Sequence, residues 1–420
     1  MKKKIVAIFT SSFPYPAGEQ FIEAEIAYWS GLSWAKVVVC PLFSNGQARA
    51  IPDDIEIFRG DNPTIARLML FALRGVFSAI FFRELGFLLK NKQLNFLNIL
   101  YALHSVALAF FIKKRGKSLV RKYGQIDVAY SYWNTEQAYG LCLLKRENAG
   151  VSRVVSRAHG YDLYEYRRKN NYMPLKRQFQ KDFDALYAIS EQGRQYLNRT
   201  YGFHAATTKK RLLGVAVPKQ LSVASTDNVV RLVSVSFCTK VKRVDRIINA
   251  LKIAAEKDTG RNFEWVHIGD GPLLTALRAK AEESLGKLPN VNYRFLGALT
   301  NSKVLDFFVD NPVDIFINCS EYEGIPVSIM EAMAHGVPAM APAVGGIPEL
   351  IDNDCGILLS TVPTENEMAS GITQLLDRSK EYRLNARNKI IKNFNAHENF
   401  SSFVGEIKNM AFLDVDAESI

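Results

Sequence analysis

The sequence is poor in cysteine, and its cysteines lack the spacings of a disulfide framework or a zinc site. Five cysteines are scattered over 420 residues without a close pair. Such a set indicates free thiols in a reducing compartment. The basic N-terminal head is followed by an apolar stretch of only strand length, which does not predict a signal peptide. We therefore expect a cytoplasmic protein.

Several signatures of enzymes and of nucleic-acid-binding proteins are also missing. The sequence has no His-Glu-x-x-His, no Gly-x-Ser-x-Gly and no aspartate-rich metal motif, so a zinc protease or a serine hydrolase has no support. "RGKS" at 115–118 lacks a glycine five residues before Gly116, so it predicts a basic surface turn rather than a phosphate-binding loop. Without a zinc finger, a ribonucleoprotein motif or a basic-region zipper, we expect no nucleic-acid partner.

The positive charge of the chain is concentrated in its first half. Residues 1–200 hold 29 Lys and Arg against 16 Asp and Glu, whereas the remainder holds 24 against 26. A basic half joined to a nearly neutral half predicts that the first half meets something anionic. An anionic membrane surface is the partner that we favour.

Short β-branched runs alternate with helical stretches along the chain, which is the pattern of parallel α/β sheets. Successive helices are predicted from about Glu365 to Phe412. Strands are predicted at 4–10, 36–42, 127–132, 153–158, 185–190, 229–236, 263–269, 291–297, 314–320 and 337–342.

The run 212–228 contains Gly, Pro and Ser and lacks helical periodicity, so we place the domain boundary there. The two halves look like two copies of one architecture, each a Rossmann-like α/β domain. We predict a first domain at 1–213, a second at 214–395, and a C-terminal helix and tail at 396–420 that pack back on the first domain.

Residues 64–123 form an unusual basic and apolar insertion. Twenty uncharged residues lie between Lys92 and Lys113, and "KKRGK" follows at 113–117. Twenty residues would just span a bilayer, but polar residues interrupt the run and a span would split the first domain. We predict a buried helix pair, with an interfacial membrane patch as the alternative.

The segment "SEYEGIPVSIMEAMAHGVPAMAPAVGGIPELI", residues 320–351, carries two glutamates eight positions apart, Glu323 and Glu331. A strand is predicted before it and a helix is predicted from about Val327 to His335, where Gly336 ends it. The turn between the glutamates therefore lies at a helix N-terminus, where free N–H groups favour an anion. Carboxylates also accept hydrogen bonds from pairs of sugar hydroxyls.

This segment closely resembles the Glu-x7-Glu region of the retaining glycosyltransferases of family 4, which have the GT-B fold. The resemblance implies two Rossmann-like domains that face each other across a cleft, with C-terminal helices that cross back to the first domain. It also implies that Glu323 contacts the transferred hexose and that Glu331 holds the ribose hydroxyls of the nucleotide. The turn that would cradle the sugar and the diphosphate consists of Gly324, Ile325, Pro326 and Val327.

A second motif is "LVSVSFCTKVKRVDRIINAL", residues 232–251, in which a strand, a basic loop and a helix from about Val244 follow one another. Cations near a helix start suit a diphosphate. The family has an Arg after the strand and a Lys five positions later on the donor phosphates. Lys242 matches the Lys, whereas Phe237 stands at the Arg position. Whether Lys240 or Arg243 takes over that role stays open.

Three further loops resemble parts of the family's site. "HIGDGPLL", residues 267–274, resembles a Gly-x-Gly-Pro loop near the nucleotide base and supplies Gly269 and Gly271. In "SRAHGYDLYEY", residues 156–166, the resemblance implies that His159 faces the donor sugar, while Asp162 either joins the site or caps a turn. After the first strand the family often has a Gly-Gly pair, where this chain offers Gly18 alone.

The resemblance implies a retaining glycosyltransferase that moves a hexose from a UDP- or GDP-sugar to a saccharide acceptor. Without a metal motif, we expect no metal and no cofactor, and Lys242 would meet the charge of the leaving group. A lipid-linked acceptor at the inner face of the membrane would explain the basic first half, as in surface polysaccharide or lipopolysaccharide assembly. Two alternatives remain: a nucleotide-sugar epimerase of the same fold, and a non-catalytic nucleotide-sugar-binding subunit of an assembly complex.

Overall fold

The computed structural model describes residues 2–16, 18–19 and 21–413, apart from the side chain of Ser379. Its strands are β1 Lys4–Thr10, β2 Ala35–Pro41, β3 Glu56–Ile57, β4 Ile126–Ser131, β5 Val151–Ala158, β6 Ala185–Ala188, β7 Thr208–Lys210, β8 Val229–Val235, β9 Asn262–Ile268, β10 Val291–Gly297, β11 Ile315–Ile317, β12 Ala339–Pro342 and β13 Gly356–Leu359.

The α-helices alternate with these strands. They are α1 Ile22–Ile26, α2 Ile65–Val76, α3 Ala79–Lys90, α4 Phe96–Tyr123, α5 Glu136–Arg146, α6 Glu191–Tyr196, α7 Val244–Lys257, α8 Leu274–Leu285, α9 Asn301–Asp310, α10 Val327–Ala334, α11 Ile347–Leu350, α12 Glu365–Asp377, α13 Ser379–Asn393 and α14 Ala396–Phe412.

The chain divides into two compact units. Unit 1 comprises Met1–Arg211 and Phe400–Ile420, and unit 2 comprises Leu212–Asn399. The sequence-based boundaries at 213/214 and 395/396 fall close to these positions, and they remain a prediction about independently folding domains.

Each unit has its own parallel sheet. In unit 1 the strand order is β3-β2-β1-β4-β5-β6-β7, and in unit 2 it is β10-β9-β8-β11-β12-β13. The paired strands run parallel in both sheets. Such strands are covered on both faces and therefore read as continuous apolar runs, as in β1, where residues 5–10 are all buried. The predicted α/β class with two Rossmann-like domains is confirmed.

In both sheets the strand order reverses beside the first strand of the unit. The chain moves from β1 through β2 to β3 on one side and then returns to place β4 on the other side. In unit 2, β8 has β9 on one side and β11 on the other. Open α/β sheets bind ligands at the carboxyl ends of the strands at such reversals, so each unit has one position of this kind.

The predicted strands all occur, with ends that shift by a few residues. The sequence reasoning missed the short strands β3, β7 and β13, which have two to four residues. The predicted helices at the end of the chain are present as α12, α13 and α14. All five cysteines are free and buried.

The prediction of a buried helix pair at 64–123 was wrong. The segment forms three helices, and only α4 has a largely buried face, against the core of unit 1. By length and composition α4 is able to span a membrane. Taken together, α2 and α3 are also long and apolar enough for one span, which would be bent at the break between them. Within the protein, 44% of the apolar window of α4 is buried.

The last helix completes the core of unit 1 through its second part. Phe403 is 1% exposed, and its ring packs edge-on against Trp29 and Tyr130 and beneath the guanidinium of Arg157. Arg157 is itself buried and forms an ion pair with the carboxylate of Glu25. The residues of α14 from Phe400 onward therefore pack into the core of unit 1, although α14 is the last helix in the sequence.

Candidate active site

Two loops meet at the strand-order reversal of unit 2. The loop after β8 carries Lys242 in a short 3-10 turn, and the loop after β11 carries Glu323. Since β8 and β11 are neighbouring parallel strands, their carboxyl ends deliver both loops to the same edge of the sheet. The backbone N–H of Glu321 donates to the carbonyl of Val241 (2.8 Å), which ties the two loops together.

Lys242 and Glu323 are in direct contact. The Nζ of Lys242 lies 2.6 Å from Oε1 of Glu323, and their side chains are 27% and 10% exposed. The amide of Asn318 lies 3.4 Å from the same carboxylate oxygen. The pair thus places one cation and one carboxylate within reach of a ligand that enters from solvent.

A glycine-rich loop that follows β12 holds the turn after Glu323 in place. The N–H of Gly346 donates to the carbonyl of Gly324 (2.7 Å). A Cβ atom on Gly345, whose φ is +57°, would lie 2.0 Å from the carbonyl oxygen of Glu323. Only glycine permits this approach, so the loop at 345–346 fixes the turn formed by Gly324, Ile325, Pro326 and Val327.

Glu331 lies on α10, one turn past Val327, and its side chain is nearly buried. Its Oε1 accepts a hydrogen bond from the amide of Asn301 (2.6 Å). Burial raises the pKa of Glu331 to about 7, although the hydrogen bond from Asn301 opposes that shift. A carboxyl group with this pKa changes its charge near neutral pH. The side chain of Glu331 thus bonds to Asn301, whereas the side chains of Lys242 and Glu323 bond to each other.

The cations beside Lys242 have separate surroundings. Arg243 forms ion pairs with Glu321 (2.6 Å) and Asp245 (3.0 Å), so its charge is already balanced by two carboxylates. Phe237, at the position where the family has an Arg, is 59% exposed. Lys240 lies in the same 3-10 turn as Lys242.

Gly269 and Gly271 lie beside the backbone of the Lys242 loop. A Cβ atom on Gly269 would lie 1.8 Å from the carbonyl oxygen of Ser236, and one on Gly271 would lie 2.7 Å from that of Cys238. The N–H of Cys238 also donates to the carbonyl of Asp270 (2.7 Å). These glycines permit the two loops to pack together, and the contact of Gly269 and Gly271 with a nucleotide base remains a prediction.

His159 follows β5 in unit 1, at the carboxyl edge of that sheet. Its ring stacks on Tyr132 with centroids 4.9 Å apart and also contacts Trp133. Its Nδ1 lies 3.7 Å from Asp162, which is too long for a hydrogen bond. Neither ring nitrogen has a hydrogen-bond partner among the described residues.

Asp162 binds backbone N–H groups of two loops, and its part in the site remains a prediction. Its carboxylate accepts from the backbone N–H of His159 (2.7 Å) and from that of Asn134 (2.8 Å). Burial by itself would raise the pKa of Asp162, but His159 and Lys176 hold it below its ordinary value. The charged carboxylate therefore joins the loops that follow β4 and β5.

The loop after β1 is closed by a side chain that the sequence reasoning passed over. The buried carboxylate of Glu19 accepts from the backbone N–H groups of Ser11, Ser12 and Phe13, at 2.6–2.9 Å, and from the indole of Trp133. Gly18 precedes it, with a φ of +90° and open space around it. The backbone N–H groups of Ser11, Ser12 and Phe13 therefore already donate to a carboxylate of the protein, and a contact of Gly18 with the donor remains a prediction.

The structure thus brings Lys242 and Glu323 together and leaves Glu331, Arg243 and His159 with other neighbours. The residues that sequence reasoning missed include Asn301, Gly345 and Gly346. The "VGGIPE" run after β12 was a usable signal, because a glycine pair after a strand often marks a close backbone approach.

Parts of this chain are similar to known proteins. Residues 229–378 match the model of the domain described as "Glycosyl transferases group 1". "Amylovoran biosynthesis glycosyltransferase AmsK" of Erwinia amylovora is 30% identical over 176 residues, which cover 40% of this chain and 42% of that protein. "Putative colanic acid biosynthesis glycosyltransferase WcaL" of Escherichia coli K12 is 27% identical over 231 residues, or 51% and 53%. The matched stretches span about half the length of these relatives.

Solved structures extend the similarity over the whole chain. A glycosyltransferase from Rickettsia africae has a TM-score of 0.69 at 14% identity and covers 99% of this chain and 100% of its own. Anabaena Alr3699/HepE, solved in complex with UDP, has a TM-score of 0.65 at 16% identity, with coverage of 97% and 99%. At such identities the likeness establishes the fold. Residues 229–378 of unit 2 are therefore similar to a glycosyl transferases group 1 domain, and the chain has the GT-B fold.

Proposed function

We propose that this protein is a retaining glycosyltransferase of the family 4 type. It moves a hexose from a UDP- or GDP-sugar to a saccharide acceptor in the biosynthesis of a bacterial surface polysaccharide or lipopolysaccharide. The contact between Lys242 and Glu323, at the strand-order reversal of a glycosyl transferases group 1 domain, carries this proposal. The names of the two relatives, which refer to amylovoran and colanic acid, support the polymer class.

In the proposed mechanism the ammonium of Lys242 turns from Glu323 to the diphosphate when the donor binds. It then stabilises the charge that develops on the leaving phosphate, which is the largest electrostatic demand of the reaction. Glu323, released from the ion pair, accepts hydrogen bonds from the hexose. The N–H groups at the start of α10 lie beside the turn and favour the anion.

Glu331 accepts the ribose hydroxyls, and His159 of unit 1 contacts the donor sugar. We infer retention of the anomeric configuration from the resemblance to family 4, where the acceptor attacks from the face that the diphosphate leaves. No step requires a protein nucleophile, because the acceptor hydroxyl itself bonds to the anomeric carbon as the bond to the diphosphate breaks, and the departing phosphate takes the proton of that hydroxyl.

The test is titration of the protein with a panel of UDP- and GDP-sugars by calorimetry. We expect millimolar or tighter binding of at least one of them, weakened by about 1–3 kcal/mol in Glu331→Ala and by a similar amount in Lys242→Ala. Lys252→Ala is the matched control, because Lys252 is exposed on α7 and pairs with Glu256 one turn away. If no nucleotide sugar binds, or if both lysine variants lose affinity equally, the proposed site is wrong.

Product analysis separates the two alternatives. An epimerase would convert the donor sugar without an acceptor, whereas a transferase forms a new glycosidic bond, whose configuration NMR assigns. A non-catalytic subunit would bind the nucleotide sugar without turnover, and its biological role would survive Glu323→Ala.

We also propose that unit 1 docks on an anionic phospholipid membrane, where a lipid-linked acceptor would lie. Eleven large apolar side chains between residues 65 and 100 are at least 42% exposed. The same segment holds five Lys and Arg and a single acid, Glu84, which is buried and bonded to Tyr172 and Gln178. Exposed apolar side chains with exposed cations and a withdrawn acid fit an anionic lipid surface. The exposed apolar residues are Ile65, Met69, Leu70, Leu73, Phe77, Phe82, Leu89, Leu94, Phe96, Leu97 and Leu100.

A further inference from the structure

A cleft lies between the helices α2 and α4 of unit 1. Its volume is about 330 Å³, which falls in the range of sites for small molecules and headgroups. Its described wall shares no residue with the candidate active site. The wall is formed by Phe71, Arg74, Phe110, Lys113, Lys114 and Lys117.

The two helices approach each other closely beside this cleft. Gly75 of α2 is buried, and a Cβ atom on it would lie 3.0 Å from Cγ1 of Val106 on α4. The buried ring of Phe71 packs edge-on against Phe111, with centroids 5.9 Å apart. Packing between the helices therefore fixes the apolar part of the cleft.

The wall carries four cations and no carboxylate among its described residues. Lys113 and Lys117, one turn apart on α4, share the carboxylate of Glu147, which lies outside the wall. Arg74 and Lys114 have no ion-pair partner in the part of the chain that the structure describes. Four positive charges from two helices thus face a single negative charge, which suits a polyanion.

The basic run "KKRGK" at 113–117 supplies three of these cations. It lies within α4, so the prediction of a basic surface turn at 115–118 was wrong. Arg115 is buried and donates to the carbonyls of Pro41 (2.7 Å) and Leu42 (3.0 Å). The helix therefore divides the run into one internal arginine, which holds the end of β2, and three lysines in the wall of the cleft.

The cleft adjoins exposed apolar side chains of α2. Leu70 precedes Arg74 by four positions, and Phe77 at the C-cap follows it by three, so both lie beside Arg74 on the helix surface. Both are largely exposed. A ligand with anionic groups in the cleft would therefore have apolar side chains next to it.

From these observations we infer that the cleft binds the headgroup of an anionic phospholipid that has two phosphates. The phosphates lie at Arg74 and at the lysines of α4, and the acyl chains lie along Leu70 and Phe77. The inference rests on the proposed function, because it gives the proposed membrane surface a site for one class of lipid.

The charge and the apolar neighbours favour this class over others. A headgroup with one phosphate would balance less of the positive charge, whereas basic clefts between helices at a membrane surface suit headgroups with several. A nucleic acid or an acidic polysaccharide would supply the charge but has no acyl chain to cover Leu70 and Phe77.

The first test uses the full chain in solution, without a membrane. The probes are bis(glycerophospho)glycerol, which is the deacylated form of diphosphatidylglycerol, and glycerophosphoglycerol, which has a single phosphate. We expect the probe with two phosphates to bind at least about fivefold more tightly in an NMR titration, because it contacts more of the cations. Equal binding of the two probes would overturn the inference.

The second test is co-sedimentation with vesicles of phosphatidylcholine that contain either diphosphatidylglycerol or phosphatidylglycerol at equal total lipid charge. We expect the partition coefficient to be at least about fivefold higher with diphosphatidylglycerol. Equal partition would show that only surface charge matters. An oligonucleotide that displaces the protein from diphosphatidylglycerol at equal phosphate concentration would show that the cleft prefers a nucleic acid. Either result would overturn the inference.

Variants of the exposed cations locate the site. Arg74→Gln and Lys114→Gln should each remove the preference for diphosphatidylglycerol and weaken the binding of bis(glycerophospho)glycerol by about fivefold. Arg83→Gln and Lys90→Gln are the matched controls, because they remove the same charges from exposed positions of α3 outside the cleft. The controls should weaken binding to both kinds of vesicle alike and keep the preference. Equal effects of the two pairs of variants would mean that the cleft is not the site.

The two tests separate this inference from the proposed membrane docking. If bis(glycerophospho)glycerol binds and loses affinity in Lys114→Gln while no vesicle binds the protein, the docking proposal fails and the cleft remains a headgroup site. If vesicles with phosphatidylglycerol bind the protein and diphosphatidylglycerol brings no preference, the docking proposal stands and this inference fails. Neither test uses a nucleotide sugar, so both are independent of the proposed donor site.

Discussion

At the scale of single residues, ionisation is the property that links structure to proposed activity. Glu331 illustrates this, because the contacts that bury it raise the pKa of its carboxyl group to about 7. A neighbouring glutamate, Glu323, instead lies beside an ammonium at 2.6 Å. Two carboxylates eight positions apart thus have different electrostatic surroundings, which suits different partners on one donor.

The raised pKa of Glu331 predicts that donor affinity depends on pH. Ribose hydroxyls donate to the charged carboxylate, so binding lowers its pKa and affinity rises with pH up to about 7. Below that pH we expect a change of up to about tenfold per pH unit and a plateau above it. Calorimetry between pH 6 and pH 8 measures this, because a nucleotide sugar has no titrating phosphate in that range.

Glu331→Gln is the matched control for that measurement. Its side chain has the same shape and no charge, so its affinity should be independent of pH over the same range. A pH dependence that is equally steep in the variant would show that another group titrates.

At the scale of elements, the site depends on loops that hold one another. The turn after Glu323 is placed by the glycine loop after β12, and the Lys242 loop is packed against Gly269 and Gly271. Strands and helices bring these loops to one sheet edge, but the close approach of backbones fixes their final positions.

Gly345→Ala should therefore disrupt donor binding. The new Cβ atom would lie 2.0 Å from the carbonyl oxygen of Glu323, so the turn has to move. We expect donor affinity to fall by about tenfold or more, and the free energy of unfolding to fall by about 1–3 kcal/mol. Gly297→Ala is the control, because Gly297 has a similar φ of +72° but open space around it. Equal losses in both variants would mean that backbone strain alone, rather than the displaced turn, causes the effect.

The helices α2 and α3 and the start of α4 carry the proposed membrane surface, and a second prediction concerns this surface. The protein should co-sediment with vesicles that contain phosphatidylglycerol and remain free of vesicles of phosphatidylcholine. Phe77→Glu should lower the partition coefficient by about tenfold or more, since Phe77 is 82% exposed and its burial in lipid is worth about 2 kcal/mol. Val362→Glu, which alters a residue of unit 2 that is 70% exposed, should have no effect. Equal binding to both kinds of vesicle would contradict the electrostatic part of this proposal.

At the scale of the whole molecule, the end of the chain contributes to the core of unit 1. Phe403→Ala should cost about 3–5 kcal/mol of the free energy of unfolding of unit 1, because it removes a fully buried ring among aromatic neighbours. Tryptophan fluorescence during urea unfolding measures this, since Trp29, Trp34 and Trp133 lie in unit 1 and Trp265 in unit 2. Phe412→Ala, at a residue that is 44% exposed, should cost much less. If both variants cost the same, Phe403 does not hold the helix in place.

The sequence by itself determined the class of fold and the main candidates for the site. The alternation of β-branched runs with helical stretches predicted two parallel sheets, because strands covered on both faces must be apolar along their length. The motif with Glu323 and Glu331, followed by His335 and Gly336, predicted α10 and its end, because helix starts and stops have local chemistry.

Only the tertiary structure decided which of these residues meet. Lys242 and Glu323 are 81 positions apart and touch because β8 and β11 are neighbours in the sheet. The carboxylate of Glu19 accepts hydrogen bonds from backbone amides after β1, and Lys176 orients the amide of Asn134. The sequence around these residues indicates neither contact. The periodicity of the sequence likewise did not predict that the apolar residues on α2 and α3 are exposed, because an apolar stripe looks the same whether protein or lipid covers it.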